Sequence, residues 1–176
     1  MGSDDVWQFA NRLYARPGVA DACLWLQHRH DLDVMLLLFC LWAGLQRGPL
    51  HPAQLRMLIA DSGPWRQGVI KPLRSARRWL KQYQPVAGAS MVEDKVEDRA
   101  ALRRDIADSE LAAERMQGEL LEALLTGWTG ETLPAKPGAA AGESNVRLYL
   151  ELLCLILDTE GEQRLWIILE AVPAPS

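Results

Sequence analysis

Ten consecutive apolar residues, Val34 to Ala43, dictate the fold class of this chain. As a helix, such a run offers water no polar side, so every face must be covered by protein. At about 1.5 Å per residue it spans about 15 Å, half of the ~30 Å hydrocarbon core of a bilayer. A strand of that length would be unusual, and Leu, Met and Ala favour helix. The stretch therefore predicts the central buried helix of an all-α domain, with Asp31 or Asp33 as its cap and Gly44 and Gly48-Pro49 as its end.

A chain of 176 residues has room for one such core, and its 49% apolar and 24% charged residues are those of a globular protein. No apolar run reaches the roughly 18 residues of a membrane span. The acidic start, Met1-Gly2-Ser3-Asp4-Asp5, is unlike a signal peptide. Cys23, Cys40 and Cys154 lie in apolar helical runs, which fits three reduced thiols in the cytoplasm better than a disulfide or zinc framework. The net charge of −4 hides an asymmetry: eleven basic against six acidic residues through Val92, and eight against seventeen from Glu93 onward.

In chain order, Ser3 or Asp4 is expected to cap a helix to about Arg16, with Val6, Phe9, Ala10, Leu13 and Tyr14 on one face. Pro17-Gly18 turns the chain into a helix from Val19 to about His28. A short helix from Pro52 to about Ala60 follows the apolar run, and Asp61-Ser62-Gly63-Pro64 reads as a turn.

The sharpest pattern comes next. Between Trp65 and Tyr83, the apolar residues Trp65, Val69, Leu73, Ala76, Trp79, Leu80 and Tyr83 share an arc of about 120°. Arg66, Lys71, Arg74, Arg77, Arg78 and Lys81 share a separate arc of about 140°, and no acidic residue lies between Ser62 and Val92. The expectation is a basic amphipathic helix, bent or begun at Pro72, whose aromatics suit a core and whose cations are solvated or paired within the protein, or else meet a nucleic-acid backbone or an acidic protein partner. A long helix from about Val92 to Leu125 carries a coiled-coil-like seam of Leu102, Ile106, Ser109, Ala113, Met116, Leu120 and Ala123, with a break near Asp108 as an option. Its first turns hold like charges four residues apart, Glu93/Glu97 and Asp94/Asp98, which suggests that these acids dock on the basic face.

Residues 1–126 are thus read as the main helical domain, 127–143 as a flexible linker or loop, 144–172 as helices packing back on the same core, and 173–176 as a tail. Within the third part, Val146–Asp158 is a second nearly apolar helix and the natural partner of Val34–Ala43. Gly161 then interrupts, and Leu165–Leu169 forms a last apolar helix, with a strand as the alternative. The whole makes six to eight helices around two apolar central ones.

Chemistry-bearing motifs are scarce. His28, His30, Asp31 and Asp33 could suggest a metal, but residues two apart on a helix point about 200° away from each other. There is no Gly-x-Ser-x-Gly, no phosphate-binding glycine loop and no cysteine with an evident histidine partner. No catalytic residue, metal or cofactor is therefore assigned. Among seven tryptophans, Trp128 stands in the polar turn Gly127–Gly130 and is the one taken as a contact residue.

The strings Phe9…Tyr14…Pro17-Gly18-Val19…Cys23-Leu24-Trp25-Leu26-Gln27, Asp33-Val34-Met35-Leu36-Leu37-Leu38-Phe39…Trp42 and Pro72-Leu73-Arg74…Arg77-Arg78 resemble a family of short bacterial proteins known only as a conserved domain of unknown function. The resemblance covers roughly residues 7 to 125 and implies a cytoplasmic bacterial protein. Members commonly carry Asn where this chain has Met35. The family supplies no activity, cofactor or site residue.

The functional expectation is a non-enzymatic interaction or regulatory protein using the helix around 65–83, with Arg66, Lys71, Arg74, Arg77, Arg78, Lys81 and Trp128 as partner-binding residues. An acidic protein or a nucleic-acid phosphate backbone would suit that face, the latter making a nucleic-acid- or ribosome-associated protein the alternative. A small-molecule enzyme within the helical bundle is the third class.

Overall fold

The computed structural model describes residues 5–83, 96–134 and 136–173. Their helices are α1 (Val6–Tyr14), α2 (Val19–His30), α3 (Val34–Gln46), α4 (Pro52–Trp65), a π-helical turn (Arg66–Ile70), α5 (Lys71–Gln82), α6 (Val96–Thr126), α7 (Ala139–Leu152) and α8 (Thr159–Glu170). No described residue is in a strand, and the fold is all-α, as the sequence predicts. None of these helices is long and apolar enough to cross a membrane. The chain divides into two compact units, Met1–Asp61 with Gly118–Ser176, and Ser62–Gln117.

The first unit is built around α3. The Asp33 carboxylate accepts the Leu36 N–H at 3.2 Å and starts the helix. Every residue from Met35 to Gly44 is buried, because α1, α2 and α7 all pack against this one cylinder. Each fully buried Leu or Phe contributes about 1.5–3 kcal/mol, so α3 supplies the largest single share of the core. α1 turns Val6, Phe9, Ala10 and Leu13 inward, the expected face. Its cap is Asp5, whose carboxylate accepts the Gln8 N–H at 2.7 Å; Ser3 and Asp4 lie outside the described residues. α8 packs on α2 and is capped by Asp158, with Gly161 inside its first turn rather than interrupting it.

The expected partnership of the two apolar helices holds, but α7 starts at Ala139 and ends at Leu152, not at Val146 and Asp158. The run Ala139-Ala140-Ala141-Gly142 had the composition of a linker. Alanine is also the best helix former, and small residues let two backbones meet. At Gly44 a Cβ would run into the backbone of Gly142, and at Gly142 a Cβ would stand 3.1 Å from the Leu41 carbonyl oxygen. The Gly138 N–H donates to the Gly44 carbonyl at 2.9 Å. One turn on, the buried Asn145 closes the crossing. Its Oδ1 accepts the Leu50 N–H at 2.7 Å, and its Nδ2 donates to the carbonyls of Cys40 at 3.1 Å and Gly48 at 3.3 Å. Gly44 thus lies inside α3 rather than ending it.

The second unit is a helical hairpin. The expected turn at 61–64 is absent: α4 continues through Pro64 and, by way of the π turn, into α5. From Trp65 at the end of α4, along α5, to Tyr83 just past it, the partners on α6 descend: Trp65 meets Ala113, Arg77 meets Glu110, and Tyr83 meets Arg99. The two helices are therefore antiparallel. α6 shows no break near Asp108.

Candidate functional site

The π turn sets the orientation of α5. Pro72 has no N–H to give the carbonyl of Gly68, so the α-helical ladder cannot run through this point intact. The chain instead takes one i→i+5 turn, in which the Lys71 N–H bonds to the Arg66 carbonyl. That turn accommodates one extra residue, and the downstream faces rotate accordingly. Ser62, Arg66, Ile70 and Arg74 recur every four residues, and all four are buried.

The observed faces of the helix differ from those expected. Arg66 and Arg74 are buried, Lys71 and Arg77 are half-buried, and only Arg78 and Lys81 of the six cations are exposed. Conversely, Trp79 and Tyr83, expected in the core, are 61% and 43% exposed. Past the turn α5 is regular, so the inversion lies in which of its faces meets α6: the face that carries Arg74 and Arg77 is turned to that helix, and the face that carries Trp79 and Tyr83 is not.

The inward arginines meet acids of α6. Arg74 Nε lies 2.7 Å from Glu110 Oε1, and its Nη2 lies 2.6 Å from Glu114 Oε1. Arg77 Nε lies 2.6 Å from Glu110 Oε2, so Glu110 receives a hydrogen bond on each oxygen. Burial pushes the Glu110 carboxyl up, but the hydrogen bonds and charges of Arg77 and Arg74 outweigh it and hold the group below the ordinary carboxylate range. The Glu110 hydrogen bond likewise raises the Arg77 guanidinium. Trp65 adds a tie beside the π turn, its Nε1–H donating to the Ala113 carbonyl at 2.9 Å.

Among the described residues, the acids that meet Arg74 and Arg77 are Glu110 and Glu114. Glu93, Asp94 and Lys95 lie outside the described residues, and Glu97 and Asp98 are exposed. Turning Glu110 inward rotates α6 away from its apolar seam. Glu110, Ala113 and Gln117 are buried, whereas Leu102 and Met116 are 49% and 55% exposed. Of the expected seam, Ala113 is buried, Ile106 half-buried, and Ser109, Leu120 and Ala123 exposed. The hairpin joins its helices through charges and leaves large apolar side chains outside. The sequence did carry a signal for this, since Glu110 and Glu114 are a like-charge pair one turn apart that a solvated helix would not favour.

What the outer side of α5 presents is a stacked aromatic pair. The rings of Trp79 and Tyr83 are 4.7 Å apart and inclined by 25°, and the Arg99 guanidinium sits 5.7 Å from the Tyr83 ring centre. Arg78 and Lys81 are exposed on the same helix.

Trp128 belongs to the other unit. It closes its own turn: the indole Nε1–H donates to the Glu131 carbonyl at 3.0 Å, and its ring occupies the space that a side chain at Gly130 would need. The Glu131 carboxylate in turn lies 3.6 Å from His51 Nε2. The described residues contain no group of three or more His, Cys, Asp or Glu placed to hold a metal ion.

No curated protein and no solved structure matches this chain. A family model described as a protein of unknown function (DUF2390) matches residues 5–121, which is more than half of the 176, and the chain belongs to that family.

Proposed function

We propose that this is a non-enzymatic interaction or regulatory protein of the bacterial cytoplasm, which binds an acidic protein partner through the outer side of α5. The observation that carries this reading is the exposed Trp79–Tyr83 stack. Trp, Tyr and Arg dominate the energetics of protein interfaces, because a rigid aromatic buries much area at little entropic cost. Arg78 and Lys81, exposed on the same helix, would guide an acidic partner. The four other cations of the predicted face are buried or half-buried, so a long phosphate track has little support on this helix.

One observation favours a second reading. An exposed aromatic stack with a guanidinium against it is also how single-stranded nucleic acids are held, each base stacking on an aromatic. The test separates the two. Immobilised wild type, Trp79→Ala/Tyr83→Ala and Arg78→Glu/Lys81→Glu are exposed to cell lysate with and without nuclease. A specific acidic protein held by wild type, lost from both variants and retained after nuclease is the expected result. Loss on nuclease treatment supports the nucleic-acid reading instead. Capture that neither variant alters would overturn both.

A further inference from the structure

The first unit carries an apolar feature that its core does not use. Between α7 and α8 the chain makes a tight bend, with Cys154 at φ 52°, a left-handed conformation that a non-glycine residue adopts at a cost. The bend pushes Leu153, Cys154 and Ile156 outward while Leu157 stays buried. Ile156 is 92% exposed, the most exposed of the large apolar side chains on the described surface. The backbone at the bend is well held: the Cys154 N–H donates to Glu151 at 2.9 Å and the Leu155 N–H to Leu150 at 3.0 Å. This is a rigid apolar knuckle, and it is flanked by acids, Glu151 on one side and Asp158 and Glu160 on the other, all exposed.

The same unit contains a receptor of opposite character. A cleft of about 360 Å³ is lined by Phe9, Arg12, Leu13, Arg16, Ala171 and Pro173, among others. Its floor is apolar, and both of its arginines are exposed. The volume lies at the low end of the range for ligand pockets, which suits one or two aliphatic side chains. An apolar projection flanked by carboxylates and an apolar cleft edged by guanidiniums are complementary in polarity and charge.

We propose that the Leu153–Ile156 knuckle of one copy of this chain seats in the Phe9–Pro173 cleft of a second copy, with Glu151 and Asp158 meeting Arg12 and Arg16. The contact is heterologous, because projection and receptor are different surfaces, so each copy has one of each and association extends into rings or chains rather than stopping at a symmetric pair. A membrane is a poor occupant for the knuckle, since its neighbours are acidic and would be repelled by an anionic leaflet. The proposal is independent of the α5 surface.

Two variants test it, each altering exposed side chains and leaving the core untouched. Ile156→Asp removes the projection, and Arg12→Glu/Arg16→Glu inverts the receptor. Sedimentation is measured across a concentration series for wild type, each variant alone and an equimolar mixture, with circular dichroism to verify folding. Wild type should associate with rising concentration, and each variant alone should do so about tenfold to hundredfold more weakly, the change that burying one aliphatic side chain supplies. The mixture should recover a one-to-one pair, because the first variant keeps its receptor and the second its projection. Attachment of a bulky maleimide to Cys154 of wild type should block association in the same way. A wild type that remains monomeric overturns the proposal, and so does association that neither variant nor the maleimide weakens. Failure of the two folded variants to pair when mixed also overturns it.

Discussion

Arg74 Nε lies 2.7 Å from Glu110 Oε1, and the two side chains are only 10% and 8% exposed. A hairpin whose helices meet through a buried ion pair behaves differently from one joined by leucines. The two charges lose their water on folding, and their attraction roughly offsets that loss instead of exceeding it. The pair thus fixes which faces of α5 and α6 meet and adds little net stability.

That reasoning gives a double-mutant prediction. Glu110→Ala leaves Arg74 and Arg77 facing each other with one acid fewer, and should cost about 3–5 kcal/mol in urea unfolding. Replacing both partners, Arg74→Met with Glu110→Leu, should recover most of that loss. A double variant as unstable as the single one would show that the pair contributes strong net stability. The charge reversal Arg74→Glu, harmless on an exposed basic face, is expected to unfold the hairpin.

Glu110 also makes the hairpin sensitive to acid. Its carboxyl titrates lower in the folded protein than in the unfolded chain, so the unfolded chain takes up the proton first. The stability it contributes is complete above the ordinary carboxylate value of about 4.3 and is lost as pH falls through the lower folded value. Unfolding of wild type across pH 3 to 7, as a scale of about that range, should show this loss. Glu110→Gln should be less stable at neutral pH and have a shallower decline; an unchanged decline would assign the acid sensitivity elsewhere.

The α3–α7 crossing offers a third test. Gly44→Ala places a methyl group in the backbone of Gly142, an overpacking expected to cost about 1–3 kcal/mol or more. Asn145→Ala leaves the buried Leu50 N–H without its acceptor, at a further cost of about 1–3 kcal/mol. Both are read by chemical denaturation. Full stability in Gly44→Ala would mean that the two helices do not approach as closely as described.

Thiol chemistry provides a fourth. Burial pushes the Cys23 thiol up to about 12, and burial with the nearby Asp33 charge raises Cys40 as well, so neither forms thiolate at neutral pH. Cys154 is exposed. A thiol reagent added to native protein should therefore modify Cys154 rapidly and Cys23 and Cys40 only on unfolding. Fast reaction of all three would contradict the burial of α2 and α3.

Some of this was decided by the sequence alone. Ten apolar residues with no polar side can only be a buried helix, and Met35–Ala43 is buried because no other placement removes it from water. The inward face of α1 and the apolar character of α7 follow from the same term, which depends on residue type and spacing and needs no partner to be known. The reach of α7 back to Ala139 was not legible, since alanines and glycines read equally as linker and as close-packed helix until α3 is present to fill the space beside them. The hairpin was decided by tertiary structure. Acids at Glu110 and Glu114, which only the folded chain brings within reach, turned the arginines inward and the aromatics outward, and the π turn carries the buried line of Ser62, Arg66, Ile70 and Arg74 past Pro72. Hydrophobic spacing could not foresee that, because a buried charge is tolerable only when its particular partner arrives, and which partner arrives is a property of the fold.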